Sequence, residues 1–172
     1  MVGVIIGVMS DTHGNTRLMR RVADMMGAEF GAEVIFHLGD DYGDGAELAA
    51  MGHVVHQVPG LWCKEYHDPH VPRRLVKDLA GVSVACVHSA QDLRHTELAA
   101  DVILFGHTHE AVLEERGGRL YVNPGHLRTT RSRNSRPSFG VVELGREEIH
   151  AAIHELDGQV RAEATMPLRK PG

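Results

Sequence analysis

Short uncharged apolar runs alternate along this chain with amphipathic or polar stretches. "VGVIIGVM" is followed by "NTRLMRRVADMMG", where Leu18, Val22, Met25 and Met26 recur at helical spacing. Asn15 is placed to cap the start of that helix and Gly27 to close its end. The pattern predicts strand, loop, helix. "AEVIFHLGDD" reads as a second buried strand, "DGAELAAMG" as a short helix, "HVVHQVPG" as a third strand and "VPRRLVKDLAG" as a weak amphipathic turn or helix. "VSVACVHS" and "DVILFGHT" are further uncharged strands. Beyond residue 110 the rhythm changes to short strands, "AVLEERG", "GRLYVNPG", "SFGVVELG", "EIHAAIHEL" and "QVRAEATM". With "RGGR" and "LDGQ" as turn signals, hairpins replace crossovers there, and the fold class is α/β with mixed sheets.

At 172 residues and 42% hydrophobic, the chain fits one globular domain, expected over residues 1–166, with 167–172 ("PLRKPG") as a loose tail. It contains no internal repeat, low-complexity stretch or linker. A formal charge of -5 gives no bulk attraction to nucleic acid or anionic membrane, so neither is the expected partner. Two cysteines make no disulfide framework and suit a reducing compartment. The apolar start is too short to span a bilayer and lacks the basic flank of a signal peptide. The expected location is therefore the cytoplasm. Self-association is compatible with the sequence, which does not specify it.

The unusual count is 13 histidines against 18 Lys plus Arg. Four apolar runs end at their C-terminal side in potential metal ligands: Asp11 and His13, Asp40, His88, and His107 with His109. In an open parallel sheet, sites form beyond the carboxyl ends of the strands, where loops converge. Imidazole with carboxylate suits Mn, Fe, Zn, Co or Ni, and is unsuited to Ca or a thiolate site. Six donors exceed the three protein ligands of a usual catalytic zinc site, so two ions sharing a carboxylate fit better. His37, His53, His56, His150 and His154 are read as structural. Ser10 and Ser89 lack a dedicated base and Cys86 lies inside an apolar run, so no side-chain nucleophile is expected.

"SDTHGN", "HLGDD", "VHS", "FGHTH" and "VNPGH" occur in the order and at the spacing of the calcineurin-like metallophosphoesterases. The chain resembles their small single-domain bacterial and archaeal phosphodiesterase branch from Val2 to about Leu144. The resemblance implies a four-layer αββα sandwich with a dinuclear metal centre at one edge. It also implies that Asp11, His13 and His109 hold the first ion, that His88 and His107 hold the second, and that Asp40 bridges them. The activity implied is in-line hydrolysis of a small phosphorylated substrate, in the first instance a phosphodiester, by metal-activated water. Asp40, His88, His107 and His126 are the candidate catalytic residues.

The sequence also departs from that family. Where the pattern calls for Gly-Asn followed by His or Cys, the chain has "VPGLWCKEYHDPH", with Leu61 in the Asn position and Trp62 next. Leucine offers no donor, which weakens the expected second ion unless Cys63, Glu65, His67 or Asp68 replaces it; Cys63 is the first choice. His126 stands where Ser is common and is a candidate substrate contact. Arg128, Arg131, Arg133 and Arg136 follow in a polar loop, and guanidinium forks suit phosphate. Two other functions stay open. One is a binding or scaffold protein with a weakened metal site, like the retromer scaffold subunit of the superfamily. The other is an unrelated metal-dependent hydrolase of amides or esters.

Overall fold

A computed structural model describes residues 3–129 and 135–168. Strand β1 (Val4–Met9) leads into helix α1 (Thr16–Ala28), then β2 (Val34–His37), α2 (Gly43–Ala50) and β3 (Val55–Gln57). Next come β4 (Arg74–Leu79), β5 (Val82–Val87), the one-turn α3 (His95–Leu98) and β6 (Val102–Leu104). The remainder is strand: β7 (Ala111–Arg116), β8 (Arg119–Pro124), β9 (Ser138–Leu144), β10 (Glu148–Glu155) and β11 (Val160–Pro167). They form two mixed sheets, a six-stranded one ordered β11-β10-β9-β1-β2-β3 and a five-stranded one ordered β4-β5-β6-β8-β7.

The two sheets face each other over the main core, which takes Ile6, Val8 and Phe36 from one and Val84, Leu104 and Val122 from the other. The outer face of the six-stranded sheet buries Met9, Ile35, Phe139 and Val141 against Leu18, Met19, Val22 and Met26 of α1 and Leu48 of α2. On the outer face of the five-stranded sheet, Ala85, Ala100 and Ile103 form a smaller cluster beside Leu93 and Tyr121. The layering is helix, sheet, sheet and a thin helical layer, the expected αββα arrangement. Among the described residues no helix is long and apolar enough to cross a membrane.

Local chemistry accounts for most boundaries. The Asn15 side chain accepts the Leu18 N–H at 3.3 Å and starts α1. Gly27, expected to close that helix, is still helical, and Glu29 follows Ala28 as the cap. The segment expected as a weak turn or helix is instead β4, an edge strand antiparallel to β5. Leu75 and Leu79, four residues apart, share a face in either periodicity, and in β4 both pack on the inter-sheet core. Gly117 and Gly118, with φ of 61° and 71°, make the β7–β8 turn that "RGGR" announced. At the other end of the chain, β11 runs to Pro167 and the Leu168 N–H donates to the Glu147 carbonyl at 2.7 Å. The rest of the expected tail, residues 169–172, lies outside the described residues.

For function the parallel pairings matter most. β1 runs parallel to β2, with Met9 beside His37, and β5 runs parallel to β6, with Cys86 beside Leu104. Within each sheet the C-terminal ends of the two strands open on the same side, and a bond from the His107 N–H to Asp11 brings the following loops of the two sheets, which carry the candidate ligands, together.

Candidate functional site

Six described non-glycine residues have positive φ, and five of them are candidate ligands: Asp11 (57°), His13 (46°), Asp40 (112°), His107 (72°) and His109 (64°). Each such conformation is unfavourable for an L-residue and persists only where surrounding contacts over-determine it. The loops after β1, β2 and β6 are thus held in sparsely populated backbone geometry at the residues with metal-binding side chains.

Asp11, His13 and His109 each place a ligand atom within 4.8 Å of the other two. His13 Nε2 and His109 Nε2 face each other at 3.1 Å, and His109 Nε2 lies 3.3 Å from Asp11 Oδ1. The other carboxylate oxygen of Asp11 accepts from Ser10 Oγ at 2.5 Å and from the His107 N–H at 3.0 Å. Asp40 Oδ2 accepts the His13 N–H at 2.9 Å and sits 3.1 Å from His13 Nδ1. His88, buried at the end of β5, donates from Nδ1 to the Leu38 carbonyl at 2.7 Å, which leaves Nε2 as its free nitrogen. Its ring meets that of His107 edge-on with centroids 5.1 Å apart. Imidazole nitrogens together with carboxylate oxygens are the donor chemistry that suits these divalent cations, so these residues fit the expected metals.

The electrostatics agree. Burial alone would raise the Asp11 carboxyl, but hydrogen bonds from His109 and Ser10, the nearby His88 and the His107 amide hold it below the ordinary carboxylate value. The hydrogen bond to Asp11 raises His109 despite burial. His13 is lowered, chiefly by burial and further by His109 and Arg128, against the pull of Asp40.

Two sequence expectations place differently. His126 is 1% exposed and has both nitrogens engaged: Nδ1 accepts the Arg128 N–H at 3.2 Å, and Nε2 lies 3.1 Å from Ser135 Oγ. Its ring stands 5.8 Å from that of His109, and its two nitrogens are engaged within the protein. Cys63 lies outside the Asp11–His13–His109 group, as do Asp40, His88 and His107; its thiol donates to the backbone carbonyl of Asp40, and burial raises its pKa. Of the arginines, Arg128 lies close enough to lower both His13 and His109, whereas Arg136 pairs with Glu155 at 3.3 Å. Arg131 and Arg133 lie outside the described residues.

Behind the ligands stands a scaffold that the sequence reading leaves out. Thr12 Oγ1 donates to Asp44 Oδ2 at 2.5 Å, and His37 Nε2 donates to the same oxygen at 2.9 Å. The Gly39 N–H closes the chain by donating to His37 Nδ1 at 3.2 Å. All three side chains are buried, and together they tie the Asp11–His13 loop to the loop that carries Asp40. An aspartate in the first turn of α2, four residues after the end of "HLGD", was the available signal. Asn123 does the same for the His107 loop, its Nδ2 donating to the Gly106 carbonyl at 3.2 Å and to Thr108 Oγ1 at 3.1 Å.

Residues 4–147 match the model of the calcineurin-like phosphoesterase superfamily domain. A probable metallophosphoesterase of Methanothermobacter thermautotrophicus is 30% identical over 161 residues, covering 87% of this chain and 91% of the relative. A phosphodiesterase of Methanocaldococcus jannaschii is 23% identical, covering 87% and 99%. Among solved structures, a predicted phosphoesterase of Streptococcus pneumoniae superposes with a TM-score of 0.74 at 21% identity, covering 98% of this chain and 99% of that one. Vacuolar protein sorting 29 of Cryptosporidium parvum superposes at 0.71 with 19% identity, covering 99% and 100%. The fold is thus shared by esterases and by a sorting protein, and the family match, spanning most of the sequence, settles the membership: this chain belongs to the calcineurin-like phosphoesterase superfamily.

Proposed function

We propose that the protein is a divalent-metal-dependent phosphoesterase of the cytoplasm that hydrolyses small phosphodiesters. The observation that carries this reading is the convergence of Asp11, His13 and His109 within 4.8 Å, on loops whose backbones are held at positive φ. Asp11, His13 and His109 would hold one ion, His88 and His107 a second, and Asp40 both. Such a centre supplies an activated water, orientation of the phosphoryl oxygens and charge stabilisation during in-line displacement. Zn, Mn, Fe, Co and Ni all suit the donors.

The chain's own residues do the rest. Ser10 and the His107 amide fix the rotamer of Asp11, and the Leu38 carbonyl fixes the tautomer of His88. Arg128 supplies positive charge beside His13 and His109, and its backbone carbonyl is held by Asn15 Nδ2 at 3.1 Å; its guanidinium is the candidate phosphate contact of the loop. Leu61 offers no donor to the second ion and the Cys63 thiol is committed to the Asp40 carbonyl, so that position has three protein ligands.

The scaffold alternative draws on the same departure, since Leu61 and Trp62 replace a ligand and a proton donor. It does not explain why the Asp11 group is kept with its supporting hydrogen bonds. Metal analysis of the purified protein, combined with hydrolysis of bis(p-nitrophenyl) phosphate under added divalent ions, tests the choice. Metal-dependent turnover that Asp40→Asn removes is the expected result; full turnover after verified metal removal, or none with any ion, overturns it.

A further inference from the structure

The charges on α1 run against its dipole. A helix presents partial positive charge at its N-terminal end and partial negative charge at its C-terminal end, which favours acids early and bases late. In α1 the first turn holds no acidic residue and the last turn no basic one. Arg17 stands in the first turn, Arg20 and Arg21 follow in the second, and Glu29 caps the far end. Packing does not select that order either. Leu18, Met19, Val22, Ala23 and Met26 are the buried residues of α1 and pack on the sheet, whereas all three arginines are exposed. A local rule broken with no gain to the fold points to function.

The three guanidiniums are not equally committed. Arg20 is held by Glu47 of α2. Among the described residues neither Arg17 nor Arg21 forms an ion pair, and Arg21 donates to the Leu156 carbonyl at 3.3 Å. An open groove of about 600 Å³ follows this face of the helix, lined by Thr16, Arg17, Arg20 and Arg21 towards the start of α1 and by Asp24 and Glu29 towards its end. The basic end is the one beside the candidate site. Arg17 comes four residues after His13, and Asn15 Nδ2, at the head of the helix, donates to the carbonyl of Arg128, whose charge lowers both His13 and His109. Arg17 and Arg21, four residues apart, stand on one side of the helix with their Cβ atoms about 5–6 Å from each other.

Building on the phosphoesterase reading, we propose that Arg17 and Arg21 bind a second phosphate group of the substrate while the scissile one lies at the Asp11–His13–His109 centre. The substrate class is then a small ester with a further phosphate, on a nucleotide or on a sugar. A guanidinium gives a phosphate two parallel charge-assisted bonds, and neither arginine has to leave a carboxylate to do so. The acids limit the reach. A long polyanion laid along α1 would run from Arg21 onto Asp24 and Glu29, so the groove suits one additional phosphate close to the first, and a small molecule over a nucleic-acid strand.

Calorimetry on the metal-loaded protein compares adenosine 3′,5′-bisphosphate with adenosine 5′-monophosphate, and fructose 1,6-bisphosphate with fructose 6-phosphate. A bisphosphate should bind on the order of ten-fold more tightly than its monophosphate. Preference in the first pair alone names a nucleotide as the source, and in the second alone a sugar. In the double variant Arg17→Ala/Arg21→Ala the preference should vanish while monophosphate affinity stays, and the helix is kept because alanine is its best former. Arg116→Ala, which removes a positive charge from the other sheet, should retain the preference. No preference in either pair, a preference that survives the double variant, or the same loss in Arg116→Ala overturns the proposal. So does a double variant that loses both kinds of ligand equally. Metal-dependent hydrolysis of bis(p-nitrophenyl) phosphate without a bisphosphate preference sinks this inference and leaves the phosphoesterase reading standing; the preference without hydrolysis does the reverse.

Discussion

The backbone N–H of His107 donates to Oδ2 of Asp11 at 3.0 Å, across 96 positions of sequence and from a loop of one sheet to a loop of the other. The bond joins the two halves of the site at a single carboxylate, whose other oxygen faces His109. Asp11 therefore both carries negative charge into the site and holds the two sheets' loops together. Asp11→Asn keeps the shape but replaces one accepting oxygen by a donor. It should empty the first metal position and lower the stability of the metal-free protein by about 1–3 kcal/mol, the cost of leaving a buried partner unpaired. Elemental analysis and urea unfolding in chelator check the two parts separately.

Asp44 touches no candidate ligand, yet Thr12 and His37 both donate to its Oδ2. Asp44→Ala leaves two buried donors without an acceptor and should cost about 2–4 kcal/mol, more than a surface substitution would. Because Thr12 stands between Asp11 and His13, and Gly39 precedes Asp40, metal affinity should fall too. A wild-type metal titration in this variant would show that the network only supports the fold.

Arg128→Ala and Arg136→Ala should separate cleanly. Loss of a charge-assisted contact to phosphate is worth about 1.5–3 kcal/mol, so kcat/KM should drop by roughly ten- to hundred-fold in Arg128→Ala. Arg136, paired with Glu155, should leave kinetics unchanged. Removing Arg128 should also let the His13 and His109 pKa values rise in the metal-free protein, visible in an NMR titration.

Much of the fold was legible because its strands are uncharged runs ending in glycine or a polar residue, and period and turn chemistry agree there. β4 was not, because Leu75 and Leu79 satisfy both periodicities and the choice is made by pairing with β5. In the site, ligand types at strand ends were visible one loop at a time. The Thr12–Asp44–His37 network and the placement of Arg128 were not, since they depend on which loops meet across sheets. For a related reason the sequence leaves the surroundings of His126 unread: a histidine in a loop looks available, and the fold shows its nitrogens engaged by the Arg128 amide and Ser135.

The Asp11–His109 pair makes the metal-free protein sensitive to pH in a definite sense. Asp11 raises His109 above the ordinary histidine value of 6.5, so its contribution is fully present below that value and is lost as pH rises through the higher folded value. Asp11 itself is lowered from 3.8, so its contribution is present above 3.8 and is lost as pH falls through the lower folded value. The pair should therefore support the metal-free fold most between these two ordinary values. Metal affinity should run the other way and increase as pH rises through the His109 value, because the cation must displace that proton. Melting temperature against pH with chelator and with zinc checks both; parallel curves would show that His109 is not a ligand.

The two metal positions should be unequal. In the proposed centre the first would be held by Asp11, His13, Asp40 and His109, whereas the second would have His88, His107 and the shared Asp40, with Leu61 offering nothing. Fewer protein donors mean weaker holding and more positions open to water or substrate. Occupancy should be near full at the first and graded at the second, rising with added Mn or Zn. Leu61→Asn adds an amide oxygen at a half-buried position in the turn that Cys63 N–H closes on the Gly60 carbonyl, next to Asp40, and should raise the metal-to-protein ratio or turnover. Cys63→Ser keeps a donor for the Asp40 carbonyl, so it should leave metal content unchanged. A fall in zinc but not manganese in that variant would instead show that the thiol leaves the carbonyl and binds as a soft ligand. Two equally tight ions in the wild-type protein, indifferent to both substitutions, would mean that the second position draws a donor from elsewhere in the Glu65–Asp68 segment.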